Sequence, residues 1–281
     1  MTTTALSRRP VGELLRQWRE HRRLSQLDLS IQADISTRHL SFLETGRSKP
    51  SRDMVLHLAE ELDLPLRERN RLLLAAGFAP EFSETTLDAP GMTAVRAALR
   101  QILAGHEPYP AVVVDGRWNL VEGNVSLGLL TSLVDPELLA APANVLRASM
   151  HPKGLAPHIV NLGEWRSHLL GRLRRQIAFS ADPELEALYA EVRAYPCDQP
   201  EPEEAELAGA GELVVPLRLR HDAGELTFFS TIATFGTPLD ITLAELAIES
   251  FFPADRRTAE ILRSAAATQP GAGDAVTSSI L

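Results

Sequence analysis

The sequence predicts an α+β protein of two domains, an all-α domain of five helices followed by an antiparallel sheet with flanking helices. Up to Gly77 the apolar residues recur with helical spacing, whereas after residue 110 many of them fall in short runs typical of strands. The length of 281 residues also suffices for two domains of ordinary size.

The five N-terminal helices are predicted from apolar spacing and from capping residues. The first helix has its apolar face at Val11, Leu14, Leu15 and Trp18. The next three are predicted to begin after the capping serines Ser25, Ser36 and Ser51. Pro65 opens the fifth helix and Gly77 ends it. We expect this domain to cover residues 8–78.

A linker is predicted at residues 79–91, APEFSETTLDAPG, because helical periodicity lapses there and a proline stands near each end. Residues 92–265 then form the predicted second domain, and residues 266–281 a flexible tail. Within the second domain a helix is expected from Thr93 to Leu103. Asn124, Asn161 and Asp255 are predicted to cap later helices.

Short apolar runs predict the strands of the second domain. Ala111–Val114 and Trp118–Glu122 are predicted to form a hairpin, with Asp115-Gly116 supplying the positive φ of a type I′ turn. Leu213–Arg220 and Glu225–Ala233 are predicted to form a second, later hairpin across His221–Gly224, and Leu246–Phe252 a third late strand.

Charge is distributed unevenly along the chain. Residues 1–52 hold ten lysines and arginines against five acidic residues, whereas the whole chain has a net charge of −9. Attraction to phosphates is local because salt screens exposed charges beyond ~10 Å. A basic first domain on an acidic body therefore suits contact with DNA through one end only.

The segment Gln26–Gly46, QLDLSIQADISTRHLSFLETG, has the pattern of two helices that cross around a short turn. The residues expected to be buried at this crossing are Leu29, Ala33, Ile35, Leu40 and Leu43. Asp34 occupies the turn position that needs a left-handed backbone, which Asp tolerates better than most residues. With Leu24-Ser25-Gln26 before it and Lys49-Pro50-Ser51 after it, the segment resembles the phage-repressor-like (Xre-type) helix-turn-helix family over roughly residues 11–77.

This resemblance implies that the third helix lies in the major groove of double-stranded DNA. Thr37, Arg38 and Ser41 would then face base edges, with Arg38 suited to a bidentate contact to guanine. Gln26 would bind a DNA phosphate at the N-terminus of the second helix. Arg47 and Lys49 in the loop after the third helix would bind the phosphate backbone. The predicted DNA-binding residues are Gln26, Ser36, Thr37, Arg38, Ser41, Arg47 and Lys49. One short helix reads few base pairs, so a homodimer on a palindromic operator is expected.

Motifs of the second domain extend the resemblance to nearly the whole chain. They are Trp118-Asn119-Leu120-Val121, Asn124, His151-Pro152, Asn161–Trp165, Phe228–Pro238 and Glu249–Asp255. The chain resembles the MmyB-like transcription regulators, in which an Xre-type helix-turn-helix domain precedes a PAS-like ligand-binding domain. The resemblance implies a small, largely apolar effector, such as a fatty acid or another lipid-like metabolite.

The late strands are apolar on both faces, since Leu226, Phe228 and Ile232 alternate with Phe229 and Ala233. The surplus apolar face could line a pocket, meet a partner subunit or be covered by helices. The candidate ligand-binding residues are Trp118, Trp165, Leu169, Arg172, Phe229 and Phe235. Arg172, Arg174 or Arg175 could pair with a carboxylate head group, although such a run also suits a solvated helix face.

Catalysis, cofactors and metals are not expected. His151 and His158 are separated by prolines and share no helical face, and Cys197 is the chain's single cysteine. The sequence has no membrane-spanning apolar stretch, and a cytoplasmic location is predicted. An alternative for the second domain is a dimerisation or protein-interaction module that binds no small-molecule effector.

Overall fold

The computed structural model of the chain describes residues 10–202, 215–222 and 224–267. The chain divides into two compact units, made mainly of the residues up to 84 and of those from 85 onward. The first is helical, whereas the second is built on an antiparallel sheet with helices beside it. The predicted α+β class is confirmed, while the predicted boundaries at residues 78, 91 and 265 stay predictions.

Five helices form the first unit: α1 (Val11–His21), α2 (Gln26–Gln32), α3 (Thr37–Glu44), α4 (Arg52–Glu61) and α5 (Leu66–Ala76). The three predicted serine caps are confirmed, because Ser25, Ser36 and Ser51 each accept a hydrogen bond from the third residue that follows. Gly77 ends α5 in the left-handed region with φ 88°.

The core of the first unit consists of leucines that α1 to α5 contribute. Leu15, Leu29, Leu40, Leu58 and Leu73 are fully buried, and each such burial contributes about 1.5–3 kcal/mol. The residues expected at the helix crossing are all buried except Ile35, which is half-buried. Asp34 has φ 49°, as the turn pattern predicts.

The sheet of the second unit has five strands: β1 (Ala111–Val114), β2 (Leu120–Gly123), β3 (Leu217–His221), β4 (Gly224–Thr234) and β5 (Ala247–Pro253). Every neighbouring pair is antiparallel, and the order is β2-β1-β5-β4-β3. The late hairpin and the third late strand are thus confirmed, although β3 begins only at Leu217, after Val215 and Pro216, and β5 begins at Ala247 rather than Leu246. Leu213 and Val214, which were also predicted to be in a strand, lie outside the described residues.

The helices of the second unit are α6 (Thr93–Gly105), α7 (Gly128–Thr131), α8 (Pro136–Leu139), α9 (Val145–Met150), α10 (Leu162–Ser180), α11 (Pro183–Arg193), α12 (Ile241–Glu245) and α13 (Arg256–Ala267). Helix α13 reaches two residues into the predicted tail, and residues 268–281 lie outside the described part. In that part no helix has the length and apolarity needed to cross a membrane.

Alternation along the strands separates two apolar clusters. Val112 and Val114 of β1 and Phe251 of β5 belong to the larger cluster, which includes Leu169 and Leu173 of α10. Their neighbours in the strands, such as Val113 and Ile248, belong to a second cluster with Leu99 and Leu103 of α6. Because side chains alternate across a sheet, the two clusters lie on its opposite faces.

The early hairpin differs from its prediction. Strand β2 begins at Leu120 rather than Trp118, and the positive φ, 68°, belongs to Trp118 rather than to Asp115 or Gly116. The carboxylate of Asp115 accepts hydrogen bonds from the backbone N–H groups of Arg117 and Asn119, which closes a longer loop. An aromatic residue in the left-handed region is strained, so burial of its ring offsets an unfavourable backbone.

Two of the three predicted caps in this unit are confirmed. The side chain of Asn124 accepts a hydrogen bond from the backbone of Leu127, and that of Asp255 accepts one from Thr258. The prediction for Asn161 is wrong, because its side chain makes no capping hydrogen bond to α10. Its amide instead donates to the carbonyl of Pro216, so this asparagine joins α10 to the segment before β3.

Candidate DNA-reading surface and ligand cavity

A buried ion pair holds the C-terminal end of α3. Arg19 of α1 donates from Nε and Nη2 to the two carboxylate oxygens of Glu44, at 2.6 and 2.9 Å. The amide of Gln26 donates to the second oxygen at 2.8 Å, and Nη1 of Arg19 donates to the carbonyl of Leu24. The hydrogen bond to Glu44 raises the pKa of Arg19. The pair thereby connects α1, the start of α2 and the end of α3.

Close contact between α1 and α3 also depends on Gly12. A Cβ atom at this position would lie 2.4 Å from the carbonyl oxygen of Leu43 and 2.6 Å from that of Glu44. Carbon and oxygen atoms cannot approach so closely without displacement of the backbone. The absence of a side chain at Gly12 therefore fixes the separation of the two helices.

Residues at the start of α3 have different environments. Arg38 is exposed, and its guanidinium lies 5.3 Å from the ring centre of Phe42. The hydroxyl oxygen of Thr37 lies 2.9 Å from that of Ser30, so this hydroxyl connects α3 to α2. Ser41 is half-buried, and the side chain of Ser36 accepts the capping hydrogen bond of His39. Of the predicted base readers, Arg38 is the most accessible.

The predicted phosphate contacts are also distributed unequally. Arg47 and Lys49 are exposed after α3, and the guanidinium of Arg47 lies 5.7 Å from the ring centre of Phe42. Two arginines thus lie near one aromatic ring, a grouping that a cation–π contact favours. Gln26 already donates to Glu44 and is half-buried. Phe42 was not among the predicted site residues, although its spacing of four from Arg38 on a helix indicates such a pair.

The second unit contains a cavity of ≈ 90 Å³ among β1, β5 and the helices α7 to α10. Its walls are largely apolar, and Trp118, Trp165 and Leu169 are among its lining residues. These three were predicted to line a pocket, and the structure brings them together. The cavity is smaller than the ~150 Å³ that holds benzene in a leucine-lined core, so a larger ligand requires the surrounding helices to move.

Phe229 and Phe235 do not line this cavity. Phe229 stacks on Phe252 with ring centres 5.2 Å apart, whereas its neighbour Phe228 belongs to the core on the cavity side. The alternation of side chains along β4 therefore directs Phe229 to the opposite face of the sheet. Phe235 packs against the cluster that contains Val113 on that opposite face. The prediction that these two residues line the same pocket as Trp118 is wrong.

Arg172 lies beside the cavity and contacts a glutamate. Its guanidinium lies 4.2 Å from the ring centre of Trp118, and Nη1 donates to Oε1 of Glu249 at 3.3 Å. Burial lowers the pKa of Arg172, and the negative charge of Glu249 opposes that shift. Glu249 itself lines the cavity, whereas Arg172 is not among the lining residues. The lining charge is thus a carboxylate rather than the predicted cation.

The imidazole of His168 stacks on the indole of Trp165, which lines the cavity, with ring centres 5.6 Å apart. Burial, and to a smaller extent the charges of Arg172 and Arg175, lowers the pKa of its imidazole. Among the described residues, no group of three or more His, Cys, Asp or Glu side chains is placed to hold a metal ion.

Two buried glutamates, Glu44 and Glu249, were not among the predicted site residues. A signal existed for Glu249, since it shares one face of a strand with the apolar residues Ala247 and Phe251. A charged residue on the inner face of such a strand indicates either an ion pair or a site. Glu44 had no comparable signal, because a glutamate near a helix end is common on protein surfaces.

Comparison with known proteins matches both domains. Residues 95–265 match the family described as "MmyB-like transcription regulator ligand binding domain", and residues 12–77 match a "Helix-turn-helix domain". Three curated relatives are uncharacterized HTH-type transcriptional regulators, one from Mycobacterium bovis and two from strains of Mycobacterium tuberculosis. Each is 35% identical over 102 residues, which cover 36% of this chain and 40% of the relative.

Among solved structures, an RNA-binding light-oxygen-voltage receptor aligns with 94% of this chain and 65% of its own, at 12% identity and a TM-score of 0.27. A similarity of this size carries no argument about ligand or function.

Proposed function

Because this chain belongs to the MmyB-like transcription regulators, we propose that it binds specific sites in duplex DNA and that a small apolar effector in its second domain alters that binding. The proposal of DNA binding depends on the structure of α3. This helix is capped by Ser36, held at its far end by Arg19 and Glu44, and exposes Arg38 near its start. A rigid helix with an exposed arginine is suited to the major groove.

The DNA contacts are proposed to follow the roles implied by the helix-turn-helix pattern. Arg38 reads a base edge, while Arg47 and Lys49 bind phosphates. Thr37, Ser41 and the N-cap Ser36 lie beside Arg38 and complete the reading edge. Gln26 donates a hydrogen bond to Glu44 and thereby supports the end of α3. It can bind a phosphate only after that hydrogen bond is broken.

We further propose a homodimer on a palindromic operator. A single short helix contacts few base pairs, and two-fold related reading helices ~34 Å apart double the length of DNA that is read. A DNA-binding regulator works where the bacterial chromosome lies, so the proposed location is the cytoplasm.

The effector site is proposed to be the cavity lined by Trp118, Trp165 and Leu169. Its apolar walls suit a lipid-like molecule, and a fatty-acid-like effector is the candidate that the family suggests. Because ≈ 90 Å³ is below the ~300–1,000 Å³ of most ligand pockets, binding has to displace lining helices. Such displacement is a route by which an effector could change the state of the regulator.

A DNA titration tests the proposal. The full chain is titrated against a duplex that it selects from a random library and against unselected duplex, over a range of salt concentrations. Affinity should fall with added salt. Arg38→Ala should lose ~1–3 kcal/mol on the selected duplex and far less on the other, while Lys49→Ala should weaken both equally. Arg71→Ala, an exposed arginine paired with Glu68 on α5, is the matched control. Failure to bind any duplex in a salt-sensitive manner would falsify the proposal.

The small volume of the cavity supports a second candidate, a dimerisation or protein-interaction domain that binds no effector. Native mass spectrometry of the purified full chain distinguishes the two, because a retained or titratable small molecule supports the effector site. Ala148→Leu, which fills the cavity, should abolish that binding, whereas Ala97→Leu on the exposed face of α6 should leave it unchanged. Binding that survives Ala148→Leu would place the molecule elsewhere.

A further inference from the structure

Phe42 of α3 lies close to two of the arginines that are proposed to bind DNA. The guanidinium carbon of Arg38 lies over its ring at 5.3 Å from the centre, and that of Arg47 lies over it at 5.7 Å. Both distances are within the ~6 Å at which the face of an aromatic ring attracts a guanidinium. One ring therefore contacts a cation at the start of α3 and a cation in the loop after it.

The ring of Phe42 is not used to build the core of the first unit. That core consists of buried apolar residues from α1 to α5, and half-buried side chains such as Ile35 and Phe78 pack against it. Phe42 is also half-buried, but among the described residues it is not one of those that pack against this core. Core packing therefore does not account for a phenylalanine at this position.

Neither of the two arginines is engaged by an acidic side chain in the part of the chain that the structure describes. Arg16 and Arg71, which are equally exposed in the same unit, each form an ion pair with a glutamate of their own helix. Arg38 and Arg47 form no such pair with any described residue. A DNA phosphate or base would therefore not have to displace a carboxylate from them.

The backbone holds the loop after α3 close to the same ring. The N–H group of Ser48 donates to the carbonyl of Phe42 at 3.1 Å, and Gly46 has φ 71°. A left-handed glycine followed by such a hydrogen bond is a common end of a helix, which turns the chain back on the last turn. Arg47 lies between Gly46 and Ser48, so the backbone fixes the place from which its side chain reaches the ring.

We propose that Phe42 positions Arg38 and Arg47 for DNA, so that the first reads a base edge while the second binds a phosphate. This role rests on the proposed DNA binding by α3. A guanidinium stacks on a ring through its flat face, which leaves the N–H groups at its edge free to donate. An arginine that is already ordered by the ring loses less conformational entropy on binding.

Fluorescence anisotropy titration of the full chain with the selected duplex tests this role through Phe42→Leu. Leucine keeps the apolar bulk but removes the aromatic face, so affinity should fall about three- to tenfold. Phe42→Tyr keeps the ring and should bind within about twofold of the unmodified chain. Phe78→Leu is the matched control, because it makes the same replacement at a half-buried phenylalanine that packs against the core, and it should change affinity little.

A double-mutant cycle with Arg38→Ala separates positioning from a general effect on stability. Once Arg38 is removed, the ring has one cation fewer to hold, so Phe42→Leu should cost at least about twofold less affinity in this background than in the unmodified chain. The four proteins are compared at low salt, where binding through the phosphate contacts stays measurable. Equal losses in the two backgrounds would overturn the inference, because the ring would then act independently of the arginine.

The outcomes distinguish the role of Phe42 from the DNA binding on which it rests. If Arg38→Ala weakens binding to the selected duplex and Phe42→Leu does not, the role of Phe42 is overturned while the proposed function stands. If the unmodified chain binds no duplex in a salt-sensitive manner, both are overturned.

Circular dichroism checks that Phe42→Leu folds, and a second measurement decides if it does not. Nuclear magnetic resonance of the full chain with isotopically labelled arginine observes the Nε–H protons, which Arg38→Ala and Arg47→Ala assign. Protons above an aromatic face are shielded by the ring current, so both resonances should lie upfield of the random-coil position. Random-coil positions for both would overturn the inference.

Discussion

A buried arginine–glutamate pair lies in each domain, and the two pairs differ in how fully their atoms are matched. Glu44 accepts hydrogen bonds on both oxygens, two from Arg19 and one from Gln26, at 2.6 to 2.9 Å. Glu249 accepts from Arg172 and Ser230 on one oxygen, and the contact to the arginine measures 3.3 Å. The first pair lies in a packed core, whereas the second borders a cavity.

The same two residue types, arginine and glutamate, can therefore have different roles in the two domains. A bidentate pair with every oxygen engaged has one favourable geometry, so it fixes the helices that carry it. A pair that is joined through one carboxylate oxygen alone, such as Arg172–Glu249, constrains the elements that carry it less. The saturated pair, Arg19–Glu44, suits the proposed DNA-reading helix α3, whereas the unsaturated pair, Arg172–Glu249, lies beside the proposed effector site.

Removal of Glu44 should give the largest effect. Glu44→Ala leaves the guanidinium of Arg19 buried without its carboxylate, which should destabilise the first domain by ~3–5 kcal/mol. Urea unfolding of the full chain followed by circular dichroism measures the loss. Glu60→Ala, which removes an exposed glutamate near the end of α4, serves as the control and should have little effect. An unchanged midpoint for Glu44→Ala would mean that the saturated pair does not hold α3.

Replacement of the unsaturated pair, Arg172–Glu249, should not lower the free energy of unfolding. The double variant R172M/E249M removes both charges from the cavity side and should leave the free energy of unfolding unchanged or raise it by up to ~1–4 kcal/mol. R172M alone should destabilise the fold, because it leaves Glu249 buried without its cation. A loss in the double variant as large as that in Glu44→Ala would show that both pairs serve stability, contrary to the comparison.

Close packing around the saturated pair can be tested at Gly12. Gly12→Ala places a Cβ against the backbone oxygens of Leu43 and Glu44 and should destabilise the first domain by ~1–3 kcal/mol through overpacking. Affinity for the selected duplex should fall together with stability, because α3 has to shift. Gly91→Ala, where a Cβ would meet no atom within 4 Å, is the matched control. Equal stability of the two variants would contradict the rigid seating of α3.

The smallest expected effect is a dependence on pH near the cavity. Burial lowers the pKa of His168 in the folded chain below its unfolded value of ~6.5. As pH falls below ~6.5 the unfolded chain binds a proton that the folded chain does not, so stability should decrease until the lower folded pKa is passed. His168→Gln should flatten this slope in urea titrations between pH 7 and 5. A slope that persists unchanged in His168→Gln would assign it to another group.

Local signals in the sequence predicted the first domain well. Serine caps, leucine spacing and the left-handed Asp34 depend on residues within a few positions of one another, so they can be read before the chain is folded. The late hairpin was predicted for the same reason, since Gly224 has the positive φ that a tight turn needs. The early hairpin also forms, but its turn differs from the prediction, because the side chain of Asp115 organises a longer loop in which Trp118 has the positive φ.

The candidate sites were predicted less completely. Trp118, Trp165 and Leu169 are brought to one cavity, but Phe229 and Phe235 face away from it. Adjacent apolar residues on a strand point to opposite faces, and the sequence contains no mark of which face meets the helices when both are apolar. In the structure, Phe228 belongs to the core on the cavity side, and Phe229 stacks on Phe252 on the other face.

By itself, the sequence determined the class of fold, the five capped helices and the arginine at the start of α3, because each follows from contacts between near neighbours in the chain. Tertiary structure alone decided that Glu44 meets Arg19 across 25 positions and that Glu249 meets Arg172 across 77. The physical reason is that the match between a buried charge and its partners depends on packing between distant segments, which no local pattern encodes.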